Sequence, residues 1–333
     1  MLLHLTLDSA HLGAVRIAFY SWLYWSLRWN RVKRLVAVQR RYPVLWQPHS
    51  AFRLIGSSAV GAIVVAAIAL WPFAIFCAAT GLAHPLGNIT VTALFLMLMG
   101  YDQQFGKVHR AWNVVPITSA ILSAARSDAF CVAPLFNEGH LFLDNESTIV
   151  CVRVLLACVW GSAGLSKLLH GGLRWVRSEQ LWWLIRLHLT DCCFVRPAMP
   201  GLSRWFLSHP AVCRLAAATV VSCELLYPLS LLSSKAAVPL VIGSLFGIVG
   251  FRLALGPGFW PLAATSIVFW FPFVAVSDVC GYFGAMFIMV MVLIGLQLMC
   301  DALDRPSKMT SADPRYDVIV VHGAPLSDSG ARV

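Results

Sequence analysis

Four ionisable residues stand inside long apolar stretches: Arg153, Lys167, Glu224 and Arg252. A charge in hydrocarbon is costly and is retained for pairing, for conduction or for chemistry. From the rise of a helix, Arg153 falls roughly 9 Å and Glu224 roughly 14 Å below the same end of their stretches. Similar depth and opposite sign predict a buried Arg153–Glu224 ion pair, with Arg16 as a third member, either fixing helix register or holding a titrating carboxylate. Lys167 and Arg252 fall toward the other ends. There they either lift their heads to the headgroups or approach one another. A neighbouring cation and desolvation favour a neutral amine, and a neutral amine is a base. His170 lies three residues after Lys167, on the same helical face, and is a second neighbour that would tune it.

These residues need helices to carry them. The chain has 333 residues, 59% hydrophobic and 12% charged, where soluble domains carry about 25% charged residues. The apolar residues come as blocks near the roughly 20 residues that cross a bilayer as a helix. Blocks of that length exclude barrel strands, and lipid-exposed backbone must satisfy its own hydrogen bonds. The reading is an all-α polytopic transmembrane bundle of about eight or nine spans. Its spans are 12–29, 57–82, 86–101, 112–126, 147–170, 205–233, 237–256, 258–277 and 279–299, within a membrane domain over 1–300. Residues 174–190, apolar on one side and basic on the other, read as an interfacial or re-entrant helix. Residues 301–333 are polar and read as a disordered cytoplasmic tail.

The net charge of +10 sits between the blocks. Residues 28–53 and 171–204 are basic and 127–146 acidic, which places the first two in the cytoplasm and the third outside. The partner this implies is the lipid bilayer, with its anionic headgroups, and not nucleic acid. Basic cytoplasmic loops suit a bacterial cytoplasmic (inner) membrane. The start of the chain lacks the pattern of a cleaved signal, since Asp8 and His11 precede an aromatic-rich block. The ten cysteines form no C-x-x-C pair and read as small packing residues, with no metal framework. Gly243 and Gly247, and Gly161 and Gly164, are spaced for close helix approach. Trp175, Trp182 and Trp183 suit a membrane-interface belt.

The segment Ala163-Gly164-Leu165-Ser166-Lys167-Leu168, followed by Trp175 and Ser178-Glu179-Gln180-Leu181, resembles the membrane domain of the vitamin K-dependent gamma-carboxylase-like (horizontally transferred transmembrane) family. Trp46-Gln47-Pro48, Glu224-Leu225-Leu226-Tyr227-Pro228, Gly258-Phe259-Trp260 and Phe269-Trp270-Phe271-Pro272 follow in a compatible order. The Gly-x-x-Lys-Leu element is also similar to small quinone-linked membrane proteins of the DoxX type. The chain departs from the family in a longer Lys-to-Trp spacing, in Phe251 or Arg252 where a histidine is common, and in lacking the large extramembrane domain. The resemblance implies that Lys167 is a base acting on a quinone or hydroquinone, with Trp175, Trp182 and Trp183 as ring neighbours. Two other functions stay open. One is a non-catalytic subunit, assembly factor or partner of another membrane protein. The other is a transporter or immunity-type protein gated by Arg153–Glu224.

Overall fold

A computed structural model of the chain describes residues 9–27, 29–41, 52, 57–103, 110–126, 130–132, 143–177, 180–190, 197–256 and 258–270, with 288, 291, 292, 294, 295 and 299 singly. Every element in these residues is helical, and the one isolated β-bridge among them joins Ala125 and Leu143. In chain order the helices are α1 (Ser9–Ser26), α2 (Asn30–Arg41), α3 (Ser57–Thr80), α4 (Leu86–Gln103), α5 (Val114–Ser123), α6 (Asn145–Gly171), α7 (Arg174–Arg177), α8 (Gln180–Thr190), α9 (Pro200–Ser208), α10 (Pro210–Leu226), α11 (Ser234–Ala254) and α12 (Trp260–Trp270). Arg110–Asn113 and Tyr227–Leu231 are 3-10 turns.

Among the described residues, four helices are long and apolar enough to cross a membrane: Ala59–Thr80, Asn145–Gly171, Pro210–Leu231 and Lys235–Ala254. The segments expected at 12–29 and 86–101 form α1 and α4, which are helical but are not among those four. The segment expected at 112–126 contributes only the ten residues of α5 after its 3-10 turn. Most of the expected span at 279–299, residues 271–277 of the span before it, and the tail 301–333 lie outside the described residues.

Local sequence explains where the helices begin and end. Proline at the first position has a φ already suited to a helix and no N–H to orphan, and it opens both α9 and α10. This divides the single span expected over 205–233 at His209, and Pro228 then draws the end of that segment into a 3-10 turn. The basic stretch 28–53 holds a helix that its charge conceals. In α2 the residues Val32, Leu35, Val36 and Gln39 are buried, while Lys33, Arg34, Arg40 and Arg41 are exposed, a helical period written in Val and Arg.

Asp144 caps α6 by accepting a 2.6 Å hydrogen bond from the Ser147 N–H. That bond stabilises the carboxylate and holds its pKa below the usual range. A lowered folded-state pKa stabilises the fold above the unfolded value of about 3.9, and the contribution is lost as pH falls through the folded value. Asp144→Ala is expected to lower stability by about 1 kcal/mol at neutral pH. A chemical denaturation series at pH 7 and at acid pH checks this, with the difference between the two proteins narrowing in acid.

One apolar core joins α1, α3, α4, α5, α6 and α12 around Phe19, Trp22, Trp71, Phe95 and Phe269. A second cluster, Leu181, Ile185, Cys213, Ala217 and Leu255, joins α8 to α10 and the end of α11. Helix α10 therefore packs on α6 at one level and on α7 and α8 at another. The wall that faces α10 continues past the end of α6.

Candidate functional site

Lys167 lies near the end of α6, yet it does not lie at the end of the bundle. Its amine meets the Glu224 carboxylate, donating to both oxygens. Glu224 is the fifteenth residue of α10, about 21 Å along it by helical rise and well inside the span Pro210–Leu231. Helices α7 and α8 also pack on α10, and Lys167 is part-buried, bonded to Glu224 and not placed against Arg252, whose guanidinium donates to Gly256.

Glycine makes the meeting possible. A β-carbon at Gly164 would stand 2.9 Å from the Leu225 nitrogen and 3.0 Å from the Glu224 β-carbon, and one at Gly161 would stand 2.9 Å from Pro228. The pair spaced for close approach in the sequence is thus where α6 and α10 touch. Above it Trp160 stacks on Tyr227, with ring centroids 5.6 Å apart. Glu224 is 6% exposed and Lys167 21% exposed, so whatever reaches the pair reaches it from the lysine side. The Trp175 ring lies 5.3 Å from the Lys167 amine, within cation–π range.

The other expected partners go elsewhere. Arg153 is not the counter-ion of Glu224. Its Nε donates to the Phe269 carbonyl at 3.0 Å, and its guanidinium sits 4.5 Å from the Trp270 ring centroid. Arg16 donates to the carbonyls of Ala78 and Ala79, both at 2.7 Å, and so does not join Glu224. Arg252 does not approach Lys167 as a like charge; it donates to the Gly256 carbonyl at 2.7 Å. One cause covers the first two. The last carbonyls of a helix have no intrahelical partner, and such orphans are expensive away from water. A guanidinium, with five donors, satisfies them and complements the helix dipole. Arg16 does this for α3 and Arg153 for α12, while Arg252 satisfies the Gly256 carbonyl in the turn just past α11. Depth and sign alone did not reveal it, because the partners are backbone atoms.

His170 is exposed, and its Nδ1 lies 2.9 Å from the Ser166 carbonyl, one turn back on its own helix, rather than on Lys167. Trp182 donates to the Leu207 carbonyl at 2.9 Å, and Trp183 is largely exposed. Arg186 lies over both rings. Of the three tryptophans, Trp175 is the one placed against Lys167. Gly247 differs from its expected role, since nothing stands within 4 Å of a β-carbon position there, and it lines a cavity instead of a helix contact.

Among the described residues, Lys167–Glu224 is the one salt bridge. The Lys167 amine is bonded to both oxygens of Glu224, so the two side chains form one unit. Among the described residues the assembly is a helical bundle, with four helices long and apolar enough to cross a membrane and a part-buried lysine–glutamate couple facing an aromatic ring. Comparison with protein-family models, with curated proteins and with solved structures finds no match to the chain.

Proposed function

We propose that this chain is an integral membrane protein that binds a quinone-class ring beside Lys167 and takes a proton from its reduced, hydroxyl-bearing form. The observation that carries this is the Lys167–Glu224 couple, inside the span and covered by Trp175. A ring hydroxyl brought to the amine can pass its proton to Lys167 while an ammonium proton moves to Glu224. The ring becomes an anion, the carboxylate becomes a carboxylic acid, and the lysine stays an ammonium held against the ring oxygen. Lys167 relays and Glu224 is the terminal base. Low dielectric strengthens both interactions. Lipid-soluble rings arrive through the bilayer, which suits a site between helices.

The same reading holds the chain to the carboxylase-like membrane family, with eight or nine spans and a place in a bacterial inner membrane. Lipids extracted from purified wild type and Lys167→Ala test it by mass spectrometry. A quinone enriched in the wild type and absent from the variant is the expected result. Ordinary phospholipid alone in both counts against it.

A second reading is favoured by the contacts at Gly161 and Gly164. They make the couple a clasp between α6 and α10, as a non-catalytic subunit, assembly factor or partner protein would use. It predicts a membrane protein that co-purifies after mild solubilisation and is retained by Lys167→Ala. A transport gate built on Arg153–Glu224 has no such support, because those residues bind other groups.

A further inference from the structure

The basic helix α2 carries its charge on one side. By helical rotation the exposed residues Asn30, Lys33, Arg34, Ala37, Arg40 and Arg41 share an arc of about 120°. Val32, Leu35, Val36 and Gln39 fill the opposite, buried side. The cationic face runs about 12 Å from Lys33 to Arg41 by helical rise. Residues 28–53 contain no acid, and Asp102, the acid at the end of α4, is buried.

Helix α3 fixes the depth of that face. Helix α1 passes the far end of α3, where Arg16 meets the carbonyls of Ala78 and Ala79. The chain then turns at Trp29, whose backbone is left-handed with φ 49°. The Trp29 ring lies edge-on to Trp71 of α3, with centroids 5.3 Å apart. Toward the other end of α2, Val36 Cγ1 and Arg40 Nε stand 3.7 and 3.8 Å from a β-carbon placed on Gly61. Gln39 accepts from the Tyr101 hydroxyl on α4. Helix α2 therefore runs beside the half of α3 that begins at Ser57, along the apolar helix Ala59–Thr80. On that same half, α3 exposes Ile63 and Val65. The cations thus face outward at a depth where α3 is apolar.

Hydrocarbon does not hold exposed ammonium and guanidinium groups; headgroups, water and a locally thinned bilayer come to them instead. Protein partners are anchored chiefly through aromatic and apolar side chains. Among the described side chains of this face, Ala37 is the only apolar one, which leaves charge as its means of recognition. We propose that the cationic face of α2 binds the headgroups of anionic phospholipids, drawing phosphates of the cytoplasmic leaflet in beside the first half of α3. Guanidinium forks and the lysine ammonium match phosphate oxygens. Each basic residue also gains from the negative surface charge of that leaflet. The inference rests on the membrane placement in the proposed function and not on the proton chemistry at Lys167.

The test places the photoreactive residue benzoylphenylalanine at Ala37, in the middle of the face, and separately at the exposed Phe73 of α3. The full chain sits in vesicles of phosphatidylcholine with a minor share of phosphatidylglycerol, and mass spectrometry identifies the adducts. At Ala37, phosphatidylglycerol should be captured at least about fivefold above its share of the vesicle, equal to the ~1 kcal/mol that one basic residue gains at an anionic surface. Raised salt should lower that excess. At Phe73 the two lipids should be captured in proportion to their abundance, which also reads whether α3 lies in the bilayer. Lys33→Gln/Arg34→Gln/Arg40→Gln, all at exposed positions, should bring Ala37 to the same proportion. Bulk proportion at Ala37 with lipid capture intact at Phe73, an excess that the triple variant retains, or a second copy of the chain captured in place of lipid would overturn the proposal. An absence of lipid at Phe73 would instead remove the membrane placement, and the proposal with it.

Discussion

Glu224→Ala is expected to destabilise the folded chain by about 3–5 kcal/mol, among the largest effects of any single substitution here. The cost comes from what it leaves behind. Lys167 would keep its charge in a poorly solvated place with no carboxylate to answer it, and desolvated ions are worth several kcal/mol. Lys167→Met leaves Glu224, which is more deeply buried, in the same difficulty. The double variant Lys167→Met/Glu224→Leu removes both charges and puts apolar volume in their place. It is expected to recover most of the stability, because replacing a buried pair by packed apolar residues is often neutral or favourable. Thermal unfolding in one detergent, run as a double-mutant cycle, reads the coupling. Two single losses that simply add would mean that the residues do not act as a pair.

Gly164→Leu is the second large effect. The close approach of the Leu225 nitrogen and the Glu224 β-carbon leaves no room for even one carbon at this position. Overpacking of this kind costs typically 1–3 kcal/mol, and relaxation here means moving α10 away from α6. That movement would pull Glu224 off Lys167. The variant should therefore show two changes together: a lower unfolding midpoint, and faster acylation of Lys167 by an amine reagent. A lower midpoint with unchanged lysine reactivity would separate the packing of the helices from the pairing of the charges. Gly247→Leu has open space in front of it and should leave Lys167 reactivity as it is.

How much of this was legible in the sequence depends on what carried each signal. Apolar block length announced the helices at 57–80, 145–171 and 234–254 within a few residues of where they lie. Helix α2 was hidden because five of its twelve residues are Arg or Lys, so hydropathy read a loop where a 3.6-residue period was present. The break before Pro210 was visible as a proline and was overridden by the apolar run around it. The four charges that drew attention in the sequence are each buried or paired in the fold, as Arg16 and Asp102 are too. The pairing of the four was not legible there, for two reasons. Depth counted along separate helices assumed that α6 and α10 begin and end together, whereas α7 and α8 continue the wall beyond α6. Charge matching also ignored the helix ends, where backbone carbonyls take Arg16, Arg153 and Arg252. With the arginines satisfied by carbonyls, Lys167 is the cation that answers Glu224. The glycines at 161 and 164, one helical turn apart on one side of α6, were the sequence signal that could have located the contact.

On the proposed function, a reduced quinone-type ring gives its proton to the Lys167–Glu224 couple. Infrared difference spectroscopy of the purified chain, with and without a short-chain hydroquinone, tests it most directly. A new protonated-carboxyl band on binding, absent from the Lys167→Met/Glu224→Leu protein, is the predicted result. Binding of the hydroquinone with no such band, or a band that persists in the double variant, would contradict it.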